Sequence, residues 1–155
     1  MVDLAELEGM QYARSLIEAG LRLSIIRAMT GVSTSTLRSW WREIHGVKPS
    51  NGKLPESVVS YIRDSDTACA LAAFVALHQR LHGLDLSPKS LLDSWKEFQL
   101  ITGHPIDINA AYYAVRDVKS RIVSFPKCHV CHVRFIYDAS GRNTDRCPFC
   151  KTKVV

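Results

Sequence analysis

Four of the chain's five cysteines lie near its carboxyl end, in two pairs that each enclose two residues. The pairs are Cys128–Cys131 and Cys147–Cys150, and fifteen residues separate them. A two-residue gap lets one tight turn aim two thiolates at a single ion, and Zn²⁺ prefers four such soft ligands in a tetrahedron. The spacing therefore predicts one structural Zn²⁺ ion per chain, bound by Cys128, Cys131, Cys147 and Cys150.

Three other chemistries use paired cysteines. Disulfides are disfavoured because nothing in the sequence indicates export. A thioredoxin-like redox site needs one C-x-x-C pair that opens a helix after a strand, not two matched pairs. A catalytic zinc keeps an open coordination position and usually draws on His or carboxylate ligands. His129 and His132 are near enough to replace a thiolate, but four cysteines already complete the shell, so both are predicted to lie at the surface or beside the ligands.

The spacer between the pairs predicts how they meet. Residues 133–137 are typical of a short strand, and residues 140–143 of a turn, so the second pair would fold back beside the first. A segment of about thirty residues lacks a sufficient core of its own, and bound metal would hold it together. We therefore expect a small zinc ribbon.

A second pattern, near the amino end, predicts a helix-turn-helix. Gly31 is suited to end one helix, Ser33 to cap the next, and Leu37 and Trp40 to face back toward the core. The opposite face would then be basic and polar, as in a helix that lies in the major groove of DNA. The alternative is an ordinary helical hairpin with a glycine turn. The candidate DNA contacts of this helix and of the ribbon are Ser33, Thr34, Ser35, Arg38, Ser39, Arg42, Arg134, Arg142, Arg146 and Lys151.

The distribution of charge is more informative than the net charge of +5. Residues 20–48 carry five basic side chains against Glu43 alone, and residues 121–155 carry seven against Asp138 and Asp145. Residues 53–118 carry six basic and eight acidic side chains. This pattern suits a polyanion held at two places. The alternative is a pair of solvated basic faces.

The rest of the chain is predicted to be helical. Apolar periodicity and breakers predict helices over about 3–18, 21–29, 66–82, 88–101 and 107–123, with a stiff connector over 45–57. Cys69 is predicted to be a small buried residue, and His78 and His82 to have surface or core roles. The expected fold is mainly α, with a helix-turn-helix domain followed by a Cys₄ zinc ribbon. Its predicted regions are 1–48, a helical middle 49–124, and the ribbon 125–155.

Several classes of protein are disfavoured by what the sequence lacks. No apolar run approaches a membrane span, and the acidic N-terminus does not resemble a signal peptide, so the cytoplasm is the expected location. No paired-carboxylate site, phosphate-binding glycine loop or Ser-His-Asp set is recognisable. We therefore expect a protein that is not an enzyme.

The order of these parts resembles the FlhC family of bacterial transcriptional activators, from about Tyr12 to Cys150. The most specific parts are Gly-x-x-Pro-x-x-Gly-x-Leu-Pro, from Gly46 to Pro55, and the cysteine quartet. The resemblance implies zinc on Cys128, Cys131, Cys147 and Cys150, and a heterohexamer of four FlhD-like and two FlhC-like chains. It also implies binding to double-stranded promoter DNA and recruitment of RNA polymerase to flagellar operons.

Two alternatives to the flagellar role remain at this point. The chain stops five residues after Cys150, where flagellar members often continue with a basic tail, and its helical middle is diverged. A related activator of conjugative transfer genes on a mobile element is the first alternative. The second is a zinc-stabilised adaptor that binds only protein, for which weak salt dependence of any DNA affinity is expected.

Overall fold

The computed structural model describes residues 1–141 and 143–154. Within them the chain forms six α-helices and one 3₁₀-helix, and its β-structure is limited to three single-residue bridges. The mainly helical class predicted from the sequence is confirmed. In chain order the elements are α1 (Leu4–Ala19), α2 (Leu23–Thr30), α3 (Thr34–His45), the 3₁₀-helix (Val58–Tyr61), α4 (Ser65–His82), α5 (Pro88–Thr102) and α6 (Ile108–Lys119).

Capping residues explain where α5 begins and ends. The Ser87 hydroxyl accepts a hydrogen bond from the Ser90 backbone N–H, and Pro88 occupies the first turn, where its missing N–H has no helical partner in any case. Gly103 closes the helix with a φ of 68°, a conformation that a residue with a Cβ resists. The observed bounds are within one residue of the predicted ones.

The last helix, α6, ends at Lys119 and not near residue 123 as predicted. Arg121 has a φ of 59°, and the N–H groups of Ile122 and Val123 both donate to the Asp117 carbonyl, at 2.9 and 3.3 Å. These contacts replace the next helical turn. The chain therefore turns toward the cysteine-rich segment shortly after the helix.

The first three helices form one packed unit. Gly31 ends α2 with a φ of 77°, and Ser33 caps α3, so the turn between the two helices has the predicted composition. A Cβ added to Gly9 would lie 3.3 Å from the Thr30 carbonyl oxygen, so a small residue lets α1 approach the end of α2. The buried side chains of this unit are Ala13, Leu16, Ile17, Leu21, Ile25, Ile26 and Leu37.

A second group, α4 to α6, packs against the first through contacts between α1 and α5. Phe74 and Tyr113 are its largest fully buried residues. They belong to the same hydrophobic cluster as Leu16 and Leu37, so one continuous core joins the two groups. The division into regions 1–48, 49–124 and 125–155 stays a prediction.

Some apolar residues of the periodic pattern that predicted the helices are exposed. Leu4 is 84% exposed and Leu81 47% exposed, and the buried residues of α1 all lie from Ala13 onward. The periodicity identified these helices correctly, but it did not show over what length each helix is buried by the rest of the protein. None of the helices in the described ranges is both long enough and apolar enough to cross a lipid bilayer.

Candidate metal centre and nucleic-acid interface

The four cysteines of the carboxyl end converge on one point. Their sulfur atoms all lie within 4.8 Å of one another, with Cys128 3.5 Å from Cys150 and Cys131 3.6 Å from Cys147. A tetrahedron with Zn–S bonds of about 2.3 Å has edges of about 3.8 Å, so the two shorter distances are close to those of a zinc site. The arrangement fits one tetrahedral metal ion.

Each cysteine pair is held by the same backbone hydrogen bonds. In the first turn, the Cys128 N–H donates to the Val133 carbonyl, and the His132 N–H donates to the Cys128 carbonyl. In the second turn, Cys147 and Lys151 make the same two bonds, with Thr152 in place of Val133. We call these turns the first knuckle (residues 127–134) and the second knuckle (residues 146–153). Because the two turns are equivalent, each contributes two thiols to the cluster, one pair from each side.

The residue after each second cysteine has a left-handed backbone. His132 has a φ of 63° and Lys151 a φ of 66°. This conformation costs an L-residue with a Cβ about 1–2 kcal/mol, and glycine adopts it without that strain. Both knuckles nevertheless carry a basic residue type there. His129 and His132 are exposed, as predicted.

The pKa values of two of the thiols, Cys150 and Cys131, are shifted in opposite directions. Hydrogen bonds from Thr152, first from its hydroxyl and then from its backbone, lower the pKa of Cys150 to about 6. A backbone hydrogen bond from Val133 favours the Cys131 thiolate, but burial and hydrogen bonds with the other three thiols outweigh it and raise its pKa to about 12. Four thiolates at this spacing require a cation among them. The donor set suits Zn²⁺, which binds thiolates and displaces their protons.

The predicted strand over residues 133–137 is reduced to isolated bridges. Ser124 pairs with Tyr137 and Lys127 with Arg134, in one antiparallel register. Pro126 lies between the two pairs and has no N–H to donate, so the ladder is interrupted there. The hairpin is short for this reason, but its register still places the first knuckle at its tip.

The cysteine-rich segment is anchored to the helical bundle at two places. The Asn143 amide donates to the Ile62 carbonyl at 3.0 Å, next to the 3₁₀-helix. The Cys69 thiol of α4 donates to the Pro148 carbonyl of the second knuckle at 3.3 Å. Cys69 is thus half-buried rather than buried as predicted, and burial raises the pKa of its thiol. The knuckles are therefore fixed relative to α4.

The outer face of α3 is basic and polar. Ser35, Arg38, Ser39 and Arg42 are all exposed along it. Its fully buried residue is Leu37, on the opposite face, whose burial contributes about 1.5–3 kcal/mol to stability. The helix therefore presents two arginines and two hydroxyls to solvent.

The two residues at the start of α3 also make local contacts. The Ser33 hydroxyl accepts a hydrogen bond from the Thr36 backbone N–H, so Ser33 caps the helix. The Thr34 hydroxyl accepts a hydrogen bond of 3.2 Å from the Arg27 guanidinium of α2. Both side chains fix the turn, and their predicted role in DNA contact stays a prediction.

The predicted contacts of the ribbon are exposed where the structure describes them. Arg134, Arg146 and Lys151 all reach solvent, and Arg134 donates from one guanidinium nitrogen to the Phe125 carbonyl at 3.0 Å. Arg142 lies outside the described residues. These side chains belong to the two knuckles and the spacer, whereas the other predicted contacts lie on and before α3.

Two exposed basic residues of the knuckles were missed from the sequence, Lys127 and Lys153. Each forms an antiparallel β-bridge with a residue that was predicted to contact DNA: Lys127 pairs with Arg134, and Lys153 pairs with Arg146. An aligned comparison of the two cysteine pairs would have found them. A basic residue precedes the first cysteine of each pair, and another follows the second cysteine by three positions.

Comparison with known proteins gives a family and several relatives. Residues 2–154 match the family described as Flagellar transcriptional activator (FlhC). The Flagellar transcriptional regulator FlhC of Variovorax paradoxus (strain S110) is 26% identical, over 96% of this chain and 77% of the relative. The protein of the same name from Gallionella capsiferriformans (strain ES-2) is 26% identical, over 86% and 77%. That from Paraburkholderia atlantica is 27% identical, over 82% and 62%.

Proposed function

Because the chain belongs to the FlhC family of flagellar transcriptional activators, we propose that it is the DNA-binding subunit of an activator complex at flagellar promoters. The observation that carries this proposal is the pair of helices α2 and α3, joined by a short turn, whose second helix exposes Arg38 and Arg42. All three relatives described above are named as flagellar regulators, which favours flagellar promoters over other targets.

The mechanism is one of position, not of bond-making. With α3 in a major groove, Arg38 and Arg42 reach guanine edges or phosphates, and Ser35 and Ser39 reach either. The side chains at the start of α3, Ser33 and Thr34, hold the turn that sets its angle. Specificity then comes from few side chains, while phosphate contacts fix the register of the helix on the duplex.

The metal centre has a structural role in this proposal. Zn²⁺ bound by Cys128, Cys131, Cys147 and Cys150 would join the two knuckles, which share little apolar core of their own. Four protein thiolates leave no open coordination position for a substrate. We therefore propose one structural ion per chain and no catalysis, in keeping with a family of transcriptional regulators.

The proposed partners follow from the family. An FlhD-like helical protein would join this chain in a complex of four partner and two FlhC-like subunits. The complex would act in the cytoplasm, bind double-stranded promoter DNA and recruit RNA polymerase. Co-expression with the host's FlhD-like protein, followed by measurement of the molar mass of the purified complex, tests this stoichiometry.

The DNA role is tested by fluorescence anisotropy with promoter fragments from the host's flagellar operons. The zinc-loaded chain is used together with its co-expressed partner. Changing Arg38 and Arg42 together to Ala should weaken binding by tenfold or more, since a good base contact is worth about 1–3 kcal/mol. The matched control changes the exposed Arg14 and Arg80, which lie on α1 and α4, and removes the same charge. Equal effects of the two double variants would remove α3 from the role of reader.

The metal role is tested by elemental analysis of the purified chain. The proposal expects one zinc per chain, and Cys128→Ser should lose both the metal and binding to the promoter fragment. Cys69→Ser is the matched control, because Cys69 contacts the second knuckle but lies outside the thiol cluster. Full metal retention by Cys128→Ser would overturn the assignment of the ligands.

A further inference from the structure

The two knuckles repeat one pattern of basic residues around their cysteines. The first reads Lys127-Cys-His-Val-Cys-His-Val-Arg134, and the second reads Arg146-Cys-Pro-Phe-Cys-Lys-Thr-Lys153. The two positions between the cysteines differ in size and polarity, and the equivalent residues Val133 and Thr152 differ in polarity. The positions that stay basic lie at both ends and directly after the second cysteine.

The backbone register brings the two ends of each knuckle face to face. Lys127 and Arg134 are bracketed by hydrogen bonds from the Cys128 N–H to the Val133 carbonyl and from the Phe135 N–H to the Pro126 carbonyl. They therefore form a non-hydrogen-bonded antiparallel pair, the kind whose opposed side chains are closest. Both cationic side chains project on the same side of the hairpin.

The second knuckle has the same geometry. Arg146 and Lys153 are bracketed by hydrogen bonds from the Cys147 N–H to the Thr152 carbonyl and from the Val154 N–H to the Asp145 carbonyl. All four basic side chains of the two pairs are exposed. The centre is therefore flanked by two equivalent pairs of cations.

This arrangement is unfavourable for the isolated chain. Like charges directly opposite each other on paired strands are destabilising. Lys151 adds a further cation in a strained left-handed conformation that glycine would adopt freely. Both knuckles thus place two cations opposite each other at a cost in stability. This repeated repulsion points to an anion that binds between the two cations of each pair.

The thiolate centre does not supply enough negative charge to be that anion. Between Lys127 and Lys153 the sequence has six basic and two acidic side chains. Four thiolates with one Zn²⁺ would add two negative charges, and cations would still be in excess. The pairs also point outward into solvent, where an extended polyanion reaches them.

We propose that the pairs Lys127–Arg134 and Arg146–Lys153 bind backbone phosphates of DNA and do not read bases. The inference rests on the proposed function, because it assigns a task to a second surface of the same DNA-binding chain. Lysine acts as a point charge and arginine as a fork toward phosphate, so each pair offers both modes. The Arg134 guanidinium, fixed on the Phe125 carbonyl, is already oriented. In this arrangement α3 reads the base sequence of the DNA, and the knuckles raise the affinity of the chain for any DNA sequence.

The test measures DNA affinity against salt for a variant that loses one cation from each pair. Lys127→Gln with Lys153→Gln leaves both arginines and all four cysteines in place. The chain is studied with its partner and zinc, on a flagellar promoter fragment and on a shuffled fragment of the same composition. The control, Lys89→Gln with Lys96→Gln, removes two exposed lysines from α5 and the same net charge.

The knuckle variant should bind both fragments more weakly by the same factor and lower the salt slope by about 2. The affinity advantage of the unaltered chain over the variant should then shrink about tenfold between about 50 and 200 mM salt. The control variant should keep the original slope, and both variants should keep their zinc.

Two outcomes would overturn the inference. An unchanged affinity with reduced zinc content would mean that the cations only balance the thiolates. A loss confined to the promoter fragment would mean that the lysines read bases. If the unaltered chain shows no preference for the promoter, the proposed function fails, and the slopes on the shuffled fragment still decide the inference.

Discussion

The Asn109 side chain joins the start of α6 to the start of α2. Its carbonyl accepts a hydrogen bond of 2.9 Å from the Arg22 backbone N–H, and its amide donates to the Gly20 carbonyl at 3.0 Å. Arg22 is the residue that precedes α2, and its own side chain makes no capping bond. Asn109 therefore caps α2 from a position 87 residues further along the chain and fixes α2 to α6.

Asn109→Ala should lower the free energy of unfolding by about 1–3 kcal/mol, because it leaves two partly buried backbone groups without a partner. Urea denaturation measures the change. Asn51→Ala, on the exposed connector, is the matched control and should stay within about 0.5 kcal/mol of the unaltered chain. Equal midpoints for the two variants would show that Asn109 does not act as a cap.

A buried carboxylate holds the connector in a similar way. Asp117 is fully buried, accepts a hydrogen bond of 2.7 Å from the Val58 N–H, and pairs with Arg116 at 2.8 Å. Arg116 in turn donates to the Glu56 carbonyl. Asp117→Ala should cost about 3–5 kcal/mol, because it leaves a buried donor and a cation unpaired.

The exposed pair Arg14–Glu18 gives the control for that measurement. Both side chains are at least half exposed, so Glu18→Ala should change the free energy of unfolding by less than about 1 kcal/mol. A small effect of Asp117→Ala, comparable to this control, would contradict the role assigned to Asp117.

The His78 imidazole should make folding sensitive to mild acid. Its Nδ1 lies 2.7 Å from the Ser94 hydroxyl and its Nε2 2.7 Å from the Asp85 carbonyl, inside the bundle. Burial lowers the pKa of His78, and the hydrogen bond to the Asp85 carbonyl opposes this only in part. The unfolded chain therefore binds a proton more readily than the folded chain, so stability should fall as the pH drops below about 6.5.

The comparison of His78→Gln with His82→Gln isolates this effect. His82 lies one helical turn away, with its ring centroid 5.5 Å from that of His78. His78→Gln should flatten the dependence of stability on pH between about 5 and 7, and His82→Gln should retain it. An unchanged slope in His78→Gln would rule out His78 as its source.

Metal removal should affect the knuckles far more than the helices. The buried residues around the thiols form a small separate cluster of Ala72, Cys128, Phe135 and Cys147, whereas the helices share the main core. A chelator should therefore raise hydrogen exchange over residues 126–154 and leave the helical circular dichroism nearly unchanged. Loss of the helical signal at the same chelator concentration would mean that the metal holds the whole fold.

The sequence predicted those features that depend on neighbouring residues. The C-x-x-C spacing suffices to indicate that Cys128 and Cys131 share a ligand site, because one turn sets both. Capping residues placed α5 within one residue of its observed bounds, since Ser87 and Gly103 act on the helix ends directly. The turn between α2 and α3 was predictable for the same reason, since Gly31 ends one helix and Ser33 caps the next.

Features that depend on distant contacts were not predictable. Nothing near Asn109 indicates that it caps α2, and the early end of α6 follows from two N–H groups that share the Asp117 carbonyl. Pro126 is visible in the sequence. That it interrupts the hairpin follows only once the structure shows that it lies opposite Phe135. The pairing of Lys127 with Arg134 likewise depends on the register of the hairpin.

The most direct test of the central claim is sequencing of DNA bound to the tagged protein in its native host. A promoter-bound activator should give peaks upstream of flagellar operons. These peaks should be lost when Arg38 and Arg42 are both changed to Ala, and the variant of Arg14 and Arg80 should keep them. Absence of enrichment, with the partner present and the protein folded and zinc-loaded, would contradict a promoter-bound activator. It would instead indicate an adaptor that binds only protein.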